Sequence, residues 1–344
     1  MKESGRSAEG MRTPRSEEKS PASVEISWPL DGTTAYGTLL TPPGPGPFPG
    51  VVMVAGSGPT DRDWNSPLMP GSNGSARLIA EALAAAGIAS LRYDKRVAGP
   101  HARENLPVLI GKISLQSHLE EVAGAVSALA SRPDSDPARI FALTSSEGAL
   151  HALNYQVHDP AFPFAGLVLT GAPGRAVGAV GRSQVVAELS VLPGGAQMVA
   201  AYDAAIDRFL AGEAVEPDPS LPQMVQTLLQ ALSVPANLPF ARELWVTDPT
   251  TWIAQVRVPM LVVIGRKDIQ VDWQADGGPL QRAATGSIDV TFVFPENANH
   301  VLKFEPRPRG DLHLPQVTSA YNSPDAALDP EALEAILAWM KTHV

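Results

Sequence analysis

Three residues of this 344-residue chain have the types and positions that nucleophilic chemistry requires: Ser146, Asp268 and His300. A serine hydroxyl is a poor nucleophile at neutral pH. It needs a base to take its proton, a group to orient that base, and donors for the oxyanion that forms. Ser146 lies in Thr144-Ser-Ser-Glu-Gly148, between an apolar run, Ile140 to Leu143, and a helical segment from Ala149. A G-x-S-x-G turn in that context pushes a serine out of a sheet edge towards a substrate. Thr144 stands where the first glycine belongs, so the motif is imperfect. The spacing to Gly148 favours Ser146 over its neighbour Ser145. The competing reading is a plain helix cap, because serine is a preferred N-cap residue. A second match, Gly181-Arg-Ser183, lacks both the preceding strand and the closing glycine.

The acid candidate follows the apolar run Pro259 to Ile264, which delivers Asp268 into the next loop. Asp272 and Asp276 compete nearby, and Asp272 is placed to cap the segment from Trp273. The base candidate follows Ile288 to Phe294, which leads through Pro-Glu-Asn-Ala-Asn to His300. Of the seven histidines, only His300 closely follows a predicted strand. His118 and His343 fall in predicted helices, and His151 lies one turn beyond the serine. The chain order is therefore Ser, Asp, His, each after a different strand, which strengthens three signals that are weak alone. One oxyanion donor is expected from the backbone N–H of Glu147. The other is expected from Ser57 or Gly58, in the glycine-containing loop that follows Gly50 to Ala55.

These residues need a scaffold that brings strand ends together. Ser23 to Pro29 and Thr34 to Thr41 read as an opening β-hairpin around Asp31-Gly32. Gly50 to Ala55, Ile88 to Tyr93, Ile140 to Leu143, Phe164 to Thr170 and Pro259 to Ile264 are continuous apolar runs, as in strands covered on both faces. Helical spacing separates several of them, at Ala76 to Ala86 and Ser117 to Ala130, and Leu328 to His343 closes the chain after Asp329-Pro330. The alternation predicts an α/β fold with a mostly parallel, doubly wound sheet. In such sheets ligands bind outside the carboxyl ends of the strands. From about 176 to 252 no strand run appears, only helical segments split by prolines. This stretch is expected to be a helical cap inserted into one domain spanning 23–344.

The formal net charge is -10, with no basic stretch to follow a phosphate backbone, so nucleic-acid binding is disfavoured. The chain has no cysteine, which excludes disulfides and thiol nucleophiles. No apolar run approaches the length of a membrane helix. Residues 1–22 read as a polar, disordered leader, and the default location is cytoplasmic.

Gly56-Ser-Gly-Pro-Thr-Asp-Arg-Asp-Trp-Asn65 resembles the GSGPTDRDGN loop of a group of bacterial α/β-hydrolase esterases close to the serine-aminopeptidase-like branch. Arg92-Tyr-Asp-Lys-Arg96 is similar to that group's RYDKRG stretch, and Thr144 to Gly148 to its GHSEG turn except at the first two positions. Ile264 to Asp268 and Ala298 to His300 match its acid and base segments. The resemblance implies an α/β-hydrolase fold with a helical cap, a Ser146–Asp268–His300 triad, no metal or other cofactor, and small carboxylic esters as substrates. Trp64 replaces a glycine and adds bulk beside the expected substrate pocket. Asp61, Arg62 and Asp63 are expected to lock the loop by ion pairing. The expected activity is that of a serine carboxylesterase on short- to medium-chain esters. Alternatives on the same triad are a serine aminopeptidase, a thioesterase or an acyltransferase. A peptidase would want acidic cap residues at the site, for which Glu188, Glu213 and Glu216 are available. A catalytically inactive binding protein of the same fold is the alternative from another class, and Thr144 is the feature that favours it.

Overall fold

A computed structural model of the chain describes residues 20–67, 71–216, 218–286, 289–323 and 325–344. The strands are β1 (Ala22–Leu30), β2 (Thr33–Thr41), β3 (Phe48–Val54), β4 (Ala89–Tyr93), β5 (Ser135–Ser145), β6 (Gly166–Thr170), β7 (Met260–Val263) and β8 (Val290–Val293). They form one eight-stranded sheet in the order β1-β2-β4-β3-β5-β6-β7-β8. β1 and β2 form the expected antiparallel hairpin, and β2 pairs antiparallel with β4. The pairings from β4 through β8 are all parallel.

Alternation along the strands explains why they read as continuous apolar runs. Val52 and Val54 face a core layer with Val122, Val126 and Leu129 of α3 (Leu115–Ala130) and Ala149 and Leu153 of α4 (Gly148–Val157). Val51 and Met53 face the opposite layer, with Ile79 and Leu83 of α1 (Ser75–Ala85) and Ile336 and Met340 of α12 (Pro330–His343). Both faces are covered, so neither set of alternating residues is polar. Helix α3 starts with a reciprocal capping box between Ser114 and Ser117. Asp329 caps α12 by accepting the Ala332 N–H at 2.9 Å, ahead of Pro330.

The chain steps from β3 to β4 on one side and then to β5 on the other side of β3. This reversal opens a crevice beyond the carboxyl ends of β3 and β5, where doubly wound sheets bind ligands. The loop after β3 carries Gly56 to Asn65, and the turn after β5 carries Ser146.

Some boundaries differ from the sequence expectation. The apolar run Ile140 to Leu143 is only part of β5, which stays buried on to Ser145 and whose first half is more exposed and joins β3 across a register shift between Phe48 and Gly50. Helix α2 (Ala102–Leu109) was not expected, since it is short and contains Pro107. Of the leader expected over 1–22, residues 1–19 lie outside the described residues, and Ala22 already pairs with Thr41. Between β6 and β7 lie helices α5 (Val177–Leu189), α6 (Gly195–Ala211), α7 (Gln223–Leu232), α8 (Leu238–Val246) and α9 (Thr250–Ile253). Four of them share a small core of their own, in which Leu189, Tyr202, Phe209, Leu229 and Trp245 meet. Among the described residues, no helix is long and apolar enough to cross a membrane.

Candidate active site

Ser146 has φ 52, a left-handed backbone that few residues other than glycine adopt. Two backbone bonds hold it there: its N–H donates to the Thr170 carbonyl at 2.8 Å, and its carbonyl accepts from Ala149 at 3.0 Å. The competing helix-cap role does not apply, because the N-cap of α4 is Glu147 and has no side-chain cap bond. Gly148 lets α4 start hard against β3, since a Cβ there would lie 2.4 Å from the Val54 carbonyl oxygen. Thr144 sits in regular strand, fully buried, and donates its hydroxyl to the Val168 carbonyl at 3.3 Å. The missing first glycine thus falls at a position whose backbone any residue can adopt. Ser183, the weaker sequence match, lies in α5 and donates to the Ala179 carbonyl at 2.9 Å.

Asp268 and His300 meet across the ends of β7 and β8. His300 Nδ1 and Asp268 Oδ2 are 2.7 Å apart. Asp268 is fully buried, and its Oδ1 accepts the N–H groups of Gln270 at 2.8 Å and Val271 at 2.9 Å. These bonds fix the carboxylate so that its second oxygen faces the imidazole. The competing carboxylates are engaged elsewhere. Asp276 is buried against Arg175, with Nη2 at 2.8 Å from Oδ2. Asp272 pairs with Arg309 at 2.6 Å and accepts the N–H groups of Gln274 and Ala275. The His300 ring rests on Gly171, where φ is 54 and a Cβ would lie 3.2 Å from Cε1.

Ser146 and His300 line one cavity of about 140 Å³ together with Gly56, Ser57, Trp64 and Tyr321. Gly56 approaches the serine closely, since a Cβ there would sit 3.3 Å from Ser146 Cβ. The carbonyls of Ser57 and Gly58 accept from Thr60, through its hydroxyl at 2.7 Å and its N–H at 2.8 Å. The N–H groups of Ser57, Gly58 and Glu147 donate to no other described residue. Trp64 has φ 65 and is buried, so the position held by glycine in the resembling group is left-handed in this chain. Tryptophan accepts that backbone strain while burying a large ring.

The loop is tied down from below. Asp61 Oδ1 accepts the N–H groups of Asp63 and Asn65, both at 2.9 Å. Arg62 binds Asp94 through Nη2 at 2.7 Å and also contacts Glu25. Asp63 pairs with Arg92.

A second cavity, of about 470 Å³, shares Ser57 with the first and opens under helices α7 and α8. Leu228, Leu232, Phe240 and Trp245 form apolar walls, and Lys95, His118 and Glu147 are polar residues lining it. These three were not assigned a side-chain role from the sequence. Lys95 Nζ donates to Glu147 Oε1 at 2.9 Å, and His151 Nε2 lies 3.0 Å from the same oxygen. Burial alone would raise the Glu147 carboxyl. Lys95 and His151 outweigh it and hold that group well below the usual carboxylate range. Burial, with His118 beside it, pushes His151 down to about 4, so its ring is neutral near pH 7. The only sequence signal for this cluster was charge immediately following a buried strand, at Asp94-Lys95-Arg96. Among the described residues, no group of three or more histidine and carboxylate side chains is arranged to hold a metal ion.

No family model matches the chain. It is 27% identical over 266 residues to the esterase EstD of Thermotoga maritima, a match covering 77% of this chain and 57% of that protein. The chain thus spans little more than half the length of that relative. Among solved structures it is similar to a proline iminopeptidase of Mycobacterium smegmatis, with TM-score 0.52, 15% identity and coverage of 93% of this chain and 98% of the other. It is also similar to a dienelactone hydrolase of Anabaena variabilis, with TM-score 0.51, 16% identity and coverage of 94% and 97%. With its sheet order and these likenesses, the chain is an α/β-hydrolase-fold protein.

Proposed function

We propose that the protein is a serine carboxylesterase acting on short- to medium-chain esters. The observation that carries this reading is the 2.7 Å contact between His300 Nδ1 and Asp268 Oδ2 in the wall of the cavity that Ser146 enters on a left-handed turn. Asp268 holds the Nδ1–H tautomer, which leaves Nε2 as the base. His300 takes the proton of Ser146 Oγ as the oxygen attacks the ester carbonyl. The oxyanion is stabilised by the Glu147 N–H and by that of Ser57 or Gly58. His300 then protonates the departing alcohol. Water, deprotonated by His300, hydrolyses the acyl-enzyme and restores Ser146.

Ser57 lines both cavities. In this reading an ester bound at Ser146 places one arm in the small polar site and the other in the larger apolar one. The stretch 176–252 acts as the cap that supplies the apolar walls. The EstD likeness supports an ester substrate. The aminopeptidase reading is less well supported: Glu188, Glu213 and Glu216 line neither cavity. Ser146→Ala is expected to abolish hydrolysis of 4-nitrophenyl acetate and butyrate while leaving the circular-dichroism spectrum and unfolding midpoint in place. Retained turnover would overturn the assignment.

A further inference from the structure

Helix α5 reaches the acid of the proposed triad through a single peptide group. Asp268 lies in the loop after β7, and its Oδ1 accepts two consecutive N–H groups, those of Gln270 at 2.8 Å and Val271 at 2.9 Å. The Gln270 carbonyl belongs to the same peptide group as the Val271 N–H. That carbonyl accepts from Gln184 Nε2 at 2.9 Å. Gln184 lies in α5, within the helical stretch between β6 and β7. A carbonyl oxygen only accepts, so the Gln184 amide turns its NH2 group towards it. One chain of hydrogen bonds therefore runs from the Gln184 side chain through the peptide plane to Asp268 Oδ1, while Oδ2 faces His300 Nδ1 at 2.7 Å. Bonds linked in this way polarise one another.

A second tie closes the chain into a ring. Ser183, next to Gln184, accepts from Arg175 Nη1 at 2.8 Å. Arg175 also holds Asp276, with Nε 3.0 Å from Oδ1 and Nη2 2.8 Å from Oδ2. Asp276 Oδ2 in turn accepts the Asp272 N–H at 3.0 Å. The segment after Asp268 is thus held at Gln270 by α5 and at Asp276 by Arg175, itself bonded to α5. A cap that only walled a cavity would need none of these polar bonds. Without Gln184 the Val271 peptide plane is free to rotate, and Asp268 Oδ1 loses one of its two fixed donors. Resting on the triad of the esterase reading, we propose that Gln184 is a positioning residue, through which the cap sets the orientation of Asp268 and hence of His300.

The full-length protein carrying Gln184→Met, of similar length but without a donor, tests this. The low-field proton resonance of His300 Nδ1–H, identified by its loss in His300→Gln, should move to higher field as the bond to Asp268 lengthens. With 4-nitrophenyl butyrate, kcat should fall about tenfold while KM stays within about twofold. Gln184→Lys, which keeps a donor of similar reach, should restore both readouts. A side chain that served cap stability alone would lower the unfolding midpoint and move neither. Gln184→Glu, which turns an acceptor towards the same carbonyl, supplies the contrast with Gln184→Lys if Gln184→Met does not fold. An unmoved resonance in the folded variant overturns the proposal, as does an unchanged kcat in an active protein. If the unsubstituted protein hydrolyses no ester and the resonance still moves, the positioning role stands and the esterase reading fails.

Discussion

Lys95 and Glu147 form a buried ion pair, 2.9 Å from Nζ to Oε1, that ties the loop after β4 to the residue following Ser146. The Glu147 side chain is buried, and its backbone N–H is the oxyanion donor in the proposed mechanism. A lysine in the loop after β4, two strands away from β5 in the sheet, therefore helps to hold the turn on which the serine depends.

Removing one partner should cost far more than removing both. Lys95→Met strands a carboxylate in the interior and is expected to destabilise the protein by about 3–5 kcal/mol. Lys95→Met with Glu147→Met should recover much of that loss, because no uncompensated charge remains. Urea unfolding of the four members of this cycle measures the coupling. A single-variant cost below about 1 kcal/mol would show that the pair is not a structural lock.

Acid stability follows from the same cluster. For Glu121, burial raises the carboxyl, but His118 and Arg96 overcome it and bring it down to about 2 from an ordinary value of 4.5. A depressed folded-state value gives stability that is complete above the unfolded value and lost as pH falls through the folded one. The contribution is of order 3 kcal/mol above pH 4.5 and disappears between about pH 4.5 and 2. Glu147 acts in the same direction. Glu121→Gln is expected to lower stability at pH 6 and to flatten its fall towards pH 2. Unfolding free energies at pH 6, 4 and 2.5 test this; unchanged slopes would contradict it.

Gly171 supports His300 through space alone. A Cβ at this position would lie 3.2–3.3 Å from the ring atoms Cε1 and Nδ1, and the backbone there is left-handed at φ 54. Gly171→Ala should cost roughly 1–2 kcal/mol of stability from backbone strain. It should reduce kcat by a larger factor, about 10- to 100-fold, through displacement of the imidazole. KM should change little. Steady-state kinetics with thermal unfolding separates the two effects, and a loss confined to stability would rule out a role in seating the histidine.

Much of this architecture was legible in the sequence because burial on both sheet faces removes polar residues from the central strands. Gly50 to Ala55 and Pro259 to Ile264 stand out for that reason, and the site candidates follow such runs. The first half of β5, Ser135 to Arg139, was not legible, since its exposed residues and Pro137 resemble a loop. Trp64 was recognised as a departure from glycine, but its left-handed φ depends on the fold of the loop. The Lys95–Glu147–His151 and His118–Glu121–Arg96 contacts were not legible either. Each side chain alone has an ordinary surface reading, and their burial arises only when α3, α4 and the loop after β4 converge. Pairing across sequence-distant elements leaves no periodic signature.

The central claim is that Ser146 is an activated nucleophile, and covalent capture tests it most directly. Incubation of the full chain with a fluorophosphonate, followed by peptide mass spectrometry, should place a single adduct on Ser146. The rate of labelling should fall by about 10³–10⁴-fold in Asp268→Asn, where the tautomer of His300 is no longer held. Labelling on another residue, or an unlabelled Ser146 in folded protein, would contradict the account.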